Sequence, residues 1–230
     1  MDSRYLNRTD FIVIGVCALS LIIFTINTKL DSIVPLYING LIVLGALTYW
    51  VLRRDAVGIL KRSLIIGGIS GFFYTFVDSL FVEGGIIIYL RSEDIEISTT
   101  PLSVVLIWIC YVAILVYLYQ RLRSVFRRFY IPSVLTGASA FLSGIILNYF
   151  ADHARLWVWN IGVPSSLTIG STPLFVPVAL FLTFFLSPYI IGGQRISARI
   201  KLPDNPIVGG LRCAIILSMM LYLSFRVFTG

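Results

Sequence analysis

Long apolar runs separated by short polar connections set the pattern of this chain. Crossing a bilayer core as a helix takes about 20 mainly apolar residues. That ruler predicts seven spans, at 11–26, 33–52, 64–89, 102–119, 131–150, 174–191 and 207–228. The third is the least regular, because Asp78, Glu83 and Gly84-Gly85 interrupt its second half. It is open to ending early and continuing as an interfacial segment. The first run follows Arg4 and Arg8 as a signal peptide's would, but Asn27-Thr28-Lys29-Leu30 offers no small-residue cleavage motif. It reads as a retained span. The expected fold is all-α, a polytopic membrane bundle of seven transmembrane helices forming a single integral membrane domain over 1–230.

The runs also resemble one another. Pro35-Leu36, Pro101-Leu102 and Pro173-Leu174 open the second, fourth and sixth spans, and Ile97-Ser98-Thr99-Thr100-Pro101-Leu102 parallels Ile169-Gly170-Ser171-Thr172-Pro173-Leu174. Each such span leads to a basic loop and a return helix that begins with small residues: Gly67-Gly68 with Gly71, Gly137-Ala138-Ser139-Ala140, and Gly209-Gly210. Proline suits a first helical turn, where its missing N–H is no loss. Small residues let helix backbones approach closely in lipid. The expected architecture is therefore one leading helix plus three parallel-repeat helical hairpins.

Composition supports the membrane class. The 230 residues are 58% hydrophobic and 13% charged, with mean hydropathy +0.93, against about 25% charged in soluble domains. The net charge of +7 invites a nucleic-acid reading, but the bases sit in short clusters between apolar runs, as topology determinants do. No nucleic-acid partner is expected. Arg4, Arg8, Arg53, Arg54, Lys61, Arg62, Arg121, Arg123, Arg127, Arg128, Arg195, Arg199 and Lys201 fall on one side of the predicted bundle. Only Lys29, Arg91, Arg155 and Arg226 fall on the other. The positive-inside rule then puts the N-terminus in the cytoplasm and the C-terminus outside. Arg212, just inside the last span, is expected to snorkel to the surface. Cys17, Cys110 and Cys213 lie in apolar runs and the chain has one histidine, so neither a metal site nor a cofactor is expected.

Candidate chemistry gathers on the predicted outer half, where Asp31, Asp78, Glu83, Glu93, Asp94, Glu96 and Asp152 lie; Asp2, Asp10, Asp55 and Asp204 fall near the inner surface. Counted from Leu64 at 1.5 Å per residue, Asp78 sits roughly 21 Å into a core about 30 Å thick. An ionisable group at that depth is a functional candidate by default. Tyr74, one turn earlier, is placed to hydrogen-bond it. The plain alternative is a structural carboxyl satisfied by Tyr74, a serine or the backbone. Asp152 ends the fifth span in the run Asn148 to Asn160, at nearly the same stage of its hairpin as Asp78, with Asn148 on its helical face. His153, Arg155, Trp157 and Trp159 follow; an interfacial aromatic belt with a charged turn explains these equally well. A carboxyl desolvated by apolar walls can act as an acid near neutral pH, and aromatic faces such as those of Phe72, Phe73, Trp108 and Tyr111 stabilise a nearby cation. These are ingredients for protonating a double bond.

The stretch Tyr74-Thr75-Phe76-Val77-Asp78, followed by Tyr89 and by Pro101 opening a helix, resembles the lycopene cyclase domain of carotenoid synthesis. The second unit, with Asp152, Trp157, Trp159 and Pro173, resembles it again. Small seven-span membrane terpene cyclases of meroterpenoid pathways are similar in size and span count. The resemblance implies an isoprenoid-modifying integral membrane enzyme, cyclase- or hydratase-like. Taken with the buried acid and the aromatic outer mouth, this makes Asp78 the expected proton donor, with Glu83 or Asp152 assisting or accepting the proton and Tyr74, Asn148, His153, Trp157 and Trp159 lining the substrate site. Where that family carries acids just after the proline, this chain has Leu102-Ser103-Val104 and Leu174-Phe175-Val176, so only Asp78 and Asp152 carry over as candidate acids.

The partners this implies are membrane lipid and a lipid-soluble small-molecule substrate, with oligomeric state left open. Two other classes stay open. A small-solute or proton-coupled transporter would need polar residues through the depth of several helices, and the second, fourth, sixth and seventh spans are nearly all apolar at their centres. A non-catalytic assembly subunit would show Asp78 hydrogen-bonded inside a dry bundle. Retinal attachment is disfavoured, since the last span offers Arg212 and no lysine.

Overall fold

The computed structural model describes residues 6–30, 32–54, 58–91, 93–126, 128, 130–160, 167–192 and 202–229. Arg4, Arg127, Arg195, Arg199, Lys201, Asp2, Asp31 and Asp55 lie outside the described residues. Among those described, six helices are long and apolar enough to cross a membrane: α1 (Arg8–Leu30), α2 (Val34–Arg54), α3 (Ile59–Glu83), α4 (Leu102–Val125), α5 (Tyr130–His153) and α8 (Pro206–Thr229). Their outward faces carry large apolar side chains such as Phe11, Leu41, Phe76, Leu142 and Met219, the distribution expected of a bundle whose solvent is lipid. This is a membrane-embedded, multi-pass helical protein.

Two expectations are corrected. The span expected over 174–191 is broken into α6 (Phe175–Phe185) and α7 (Ser187–Ile191). Pro188 has no N–H to give and its ring clashes with the carbonyl one turn back, while Ser187 Oγ donates to the Phe184 carbonyl. The span expected over 64–89 starts earlier, at Ile59, and ends at Glu83. Gly84-Gly85 turn the chain into strand β1 (Ile87–Tyr89).

Local sequence explains the helix starts. Asn7 Oδ1 accepts the Asp10 N–H at 2.9 Å and Asp10 Oδ2 accepts the Asn7 N–H at 2.7 Å, a reciprocal cap that satisfies two donors lacking helical partners. Asn205 Oδ1 accepts the Ile207 N–H at 2.8 Å, with Pro206 in the first turn of α8.

Glycines set how closely the helices approach. A Cβ on Gly67 would lie 2.5 Å from the Ile109 carbonyl oxygen, and one on Gly137 would lie 2.9 Å from that of Phe181. Helix α3 therefore presses its backbone against α4, as α5 does against α6, the contact that small residues permit in lipid. The central core of Ile66, Val112, Val116, Phe175, Phe184 and Leu217 joins α3, α4, α6 and α8. Helices α1 and α2 lie against α4 through a separate cluster of Val13, Val43, Leu47 and Tyr117.

The two ends of the bundle differ. At the basic end, Asp10 accepts from Tyr117 at 2.7 Å and pairs with Arg121 at 2.9 Å, tying α1 to α4. Arg62 pairs with Asp204 and donates to the Ile191 carbonyl at 2.6 Å. Arg212 reaches back past its helix start to the Pro203 carbonyl at 2.9 Å. The opposite end carries short strands. Strand β1 pairs antiparallel with β4 (Trp157–Trp159), with Ile88 opposite Val158. Hairpin β2–β3 (Glu96–Ile97, Thr100–Pro101) precedes α4, and hairpin β5–β6 (Thr168–Ile169, Thr172–Pro173) precedes α6.

The connections out of α3 and α5 use the same hydrogen bonds. After α3, Gly85 N–H donates to Val82 O and Ile86 N–H to Phe81 O, each at 2.9 Å. After α5, Arg155 N–H donates to Asp152 O at 3.0 Å and Leu156 N–H to Ala151 O at 2.8 Å. Both are Schellman closures, which need a left-handed residue. Gly85 adopts it at φ 65° and Arg155 at φ 51°, the latter without a glycine's freedom.

Candidate active site

The matched connections fix which side chains correspond. Asp78 stands as far before the Gly85 turn as Asn148 stands before the Arg155 turn, so Asn148, rather than Asp152, occupies the position of Asp78. The reason is the strand register, which depends on long-range pairing and not on charge pattern.

Asp78 is 3% exposed and sits near the strand end of α3. Its Oδ2 accepts from the Tyr89 hydroxyl at 2.6 Å and from Thr100 Oγ1 at 2.8 Å. Tyr74, one turn earlier on α3, lines the same cavity beside the carboxyl. Burial, then the adjacent carboxyl, push the Tyr89 hydroxyl well above the usual tyrosine range, so Tyr89 remains a neutral donor through neutral pH. In the second connection, Asn148 is 8% exposed. Its Oδ1 accepts from Trp157 Nε1 at 3.1 Å and from Trp159 Nε1 at 2.7 Å, while its Nδ2 donates to the Gly144 carbonyl at 2.8 Å.

These groups meet at one cavity of about 50 Å³, walled by Tyr74, Asp78, Tyr89, Asn148, Trp157 and Trp159. Trp108, Tyr111, Leu180 and Leu221 complete much of its apolar surface. The Tyr74 and Trp108 rings lie 4.5 Å apart, and Trp159 meets Phe175 edge-on at 5.4 Å. Since a water needs some 10–15 Å³ of such space and polar partners, the cavity admits a few waters beside the carboxyl and no folded hydrocarbon.

The other sequence candidates divide. Asp152 is half-buried and lines a separate pocket of about 210 Å³ with Ser171; Asn148, Trp157 and Trp159 form the wall common to that pocket and the cavity. Asp78 and Asp152 thus flank one aromatic wall without sharing a cavity. Glu83 is exposed at the end of α3 and lines neither space. His153 is exposed, stacked on Tyr149 at 4.0 Å, and its Nδ1 contacts the Tyr149 carbonyl at 2.9 Å. Phe72 and Phe73 are exposed, forming an outward cluster with Phe76. No group of three or more His, Cys, Asp or Glu side chains among the described residues is arranged to hold a metal.

Sequence reasoning passed over Thr100 as a carboxyl partner and Asp94 as a buried acid. The threonine before each repeated proline marked the first. Asp94, 8% exposed, accepts from Tyr37 and Ser103 hydroxyls, binding α2 and α4 to the loop between β1 and β2. Its neighbours in sequence carry no sign of this.

Fold and site together define a membrane-embedded helical protein with a carboxyl held in an aromatic cavity. Comparison with known protein families, with curated proteins and with solved structures gives no significant match.

Proposed function

We propose that this protein is an integral membrane enzyme that protonates a double bond of a lipid-soluble isoprenoid and adds water, with Asp78 as the proton donor. One observation carries the reading: Asp78 faces a cavity whose remaining walls, the Asn148 amide apart, are mainly aromatic and apolar and whose size suits water. In the step, the Asp78 O–H bond breaks and a C–H bond forms at one alkene carbon, leaving the cation on the other. Tyr74, Trp108, Trp157 and Trp159 offer ring faces to that cation. Water held by Asp78 and Asn148 adds to it and returns its extra proton to the Asp78 carboxylate. Hydration is favoured over cyclisation because the cavity has no room for a folded chain.

Tyr89 and Thr100 orient the carboxyl. Asp152 lies on the far side of the Asn148–tryptophan wall and takes no part in the step. In this reading the Lys and Arg distribution sets the N-terminus inside and the C-terminus outside. Helices α6 and α7 together make the seventh crossing, and the chain is a leading helix followed by three like-oriented hairpins.

A purely structural carboxyl is favoured by a different observation, the two hydroxyl donors that already satisfy Asp78 Oδ2. Lipid extracts from cells expressing the protein or Asp78→Asn separate the two. The enzyme reading expects a hydroxylated isoprenoid that vanishes in the variant while its alkene precursor accumulates. Identical extracts from folded variant and parent would sink it.

A further inference from the structure

The cavity beside Asp78, at about 50 Å³, is too small for any lipid-soluble substrate, so the body of such a molecule must lie elsewhere. A groove of about 310 Å³ runs between α1, α2, α4 and α5, within the range of about 300–1,000 Å³ usual for small-molecule sites. Its walls are mainly apolar, among them Phe24, Val43, Ile114 and Leu118, with Asn39 and Ser143 as polar members. Leu21 and Ile146, on its lining, are also exposed on the outward surface of the bundle. The groove therefore opens sideways, toward hydrocarbon.

The groove and the acid cavity share three lining residues, Ile107, Tyr111 and Leu147. These three side chains form a wall common to both spaces. Tyr111 is the polar member of that wall: its hydroxyl donates to the Ala140 carbonyl at 3.0 Å and lies 3.0 Å from Ser143 Oγ, while its ring meets Trp108 and Phe184 edge-on at 5.6 and 6.1 Å.

We propose that this groove seats the single hydrocarbon chain of the substrate, admitted sideways from the bilayer, with Tyr111 as the gate through which the reactive double bond reaches Asp78. The inference rests on the acid-catalysis reading for its direction, toward Asp78. Occupancy of the groove is measured independently of chemistry. Its volume suits one chain rather than the paired chains of a phospholipid.

Two native thiols, Cys17 and Cys110, line the groove, whereas Cys213 is fully buried in the central core. The full chain, in dioleoylphosphatidylcholine nanodiscs and separately in detergent, is treated with N-ethylmaleimide, and modification of each cysteine is followed by peptide mass spectrometry. Squalene, a single-chain polyene, is expected to slow Cys17 modification several-fold in both settings. Ile146→Trp, which fills the groove, should remove the squalene effect; Cys213 remaining unmodified reports that the fold is intact. A Cys17 rate indifferent to squalene overturns the proposal. So does equal protection in nanodiscs lacking squalene, which assigns the groove to a bilayer acyl chain. Asp78→Asn should keep the protection. Protection without any Asp78-dependent product would leave the groove standing and remove the catalytic reading; product loss without protection would do the reverse.

Discussion

The connection that follows α3 and the one that follows α5 are built on the same backbone hydrogen bonds, yet one closes over a carboxyl and the other over an amide. Around Asp78 the partners are hydroxyls, Tyr89 and Thr100. Around Asn148 they are two indoles, Trp157 and Trp159. Tyr89 and Trp159 hold matching places in the paired strands, and both reach back to the polar residue of their own helix. The difference lies in what each side can exchange. A carboxyl with hydroxyl partners gains and loses protons; an amide held by indole donors does neither and serves as a fixed wall. The pairing of β1 with β4 brings both to one cavity, and in the proposed reading the carboxyl is its reactive face and the amide its inert one.

The largest expected effect comes from erasing the distinction. Asp78→Asn gives both sides an amide and should lower product formation by roughly 10²–10⁴-fold, the usual contribution of a positioned general acid, with the folded fraction little changed by size-exclusion chromatography. Asn148→Leu attacks the other side. It strands two indole N–H groups at a cost of about 1–3 kcal/mol each, read as a lower thermal midpoint in detergent and a changed tryptophan emission maximum.

Helix approach gives the next test. Gly67→Ala should destabilise by about 1–3 kcal/mol through overpacking against Ile109. Gly137→Ala should cost less, because its Cβ would meet Phe181 at the longer separation. The threonines before the two prolines give a finer contrast. Thr100→Val removes a donor to Asp78 and should cost about 1 kcal/mol. Thr172, whose buried Oγ1 has no hydrogen-bond partner among the described residues, should tolerate valine with a change near zero. The one stabilising effect is expected at Arg155, whose left-handed backbone carries a cost, about 1–2 kcal/mol at most, that glycine avoids. Arg155→Gly should therefore raise the thermal midpoint slightly.

Hydropathy alone located the six long helices, because bilayer thickness imposes a length that the sequence must meet. It did not show the break within 174–191, since Pro188 and Ser187 act through local backbone geometry that an average over the window conceals. The strands were invisible to it for a related reason: three-residue segments such as Ile87–Tyr89 have no periodicity long enough to detect, and their pairing with Trp157–Trp159 joins residues far apart in sequence. The candidate site was half legible. Asp78 and Tyr74 stood out through depth and helical spacing. Asp152 drew notice as a charge, although register puts the uncharged Asn148 in the corresponding place. Glu83 and His153 looked chemical by residue type, but helix ends turn them outward.

The central claim is that Asp78 delivers a proton to carbon. Purified protein in nanodiscs, incubated in D₂O with lipid extract from cells carrying Asp78→Asn, tests this directly by mass spectrometry of the products. The account predicts a hydrated isoprenoid bearing one carbon-bound deuterium, formed by the parent protein and absent with Asp78→Asn. A product lacking carbon-bound deuterium, or one formed equally by the variant, would contradict it.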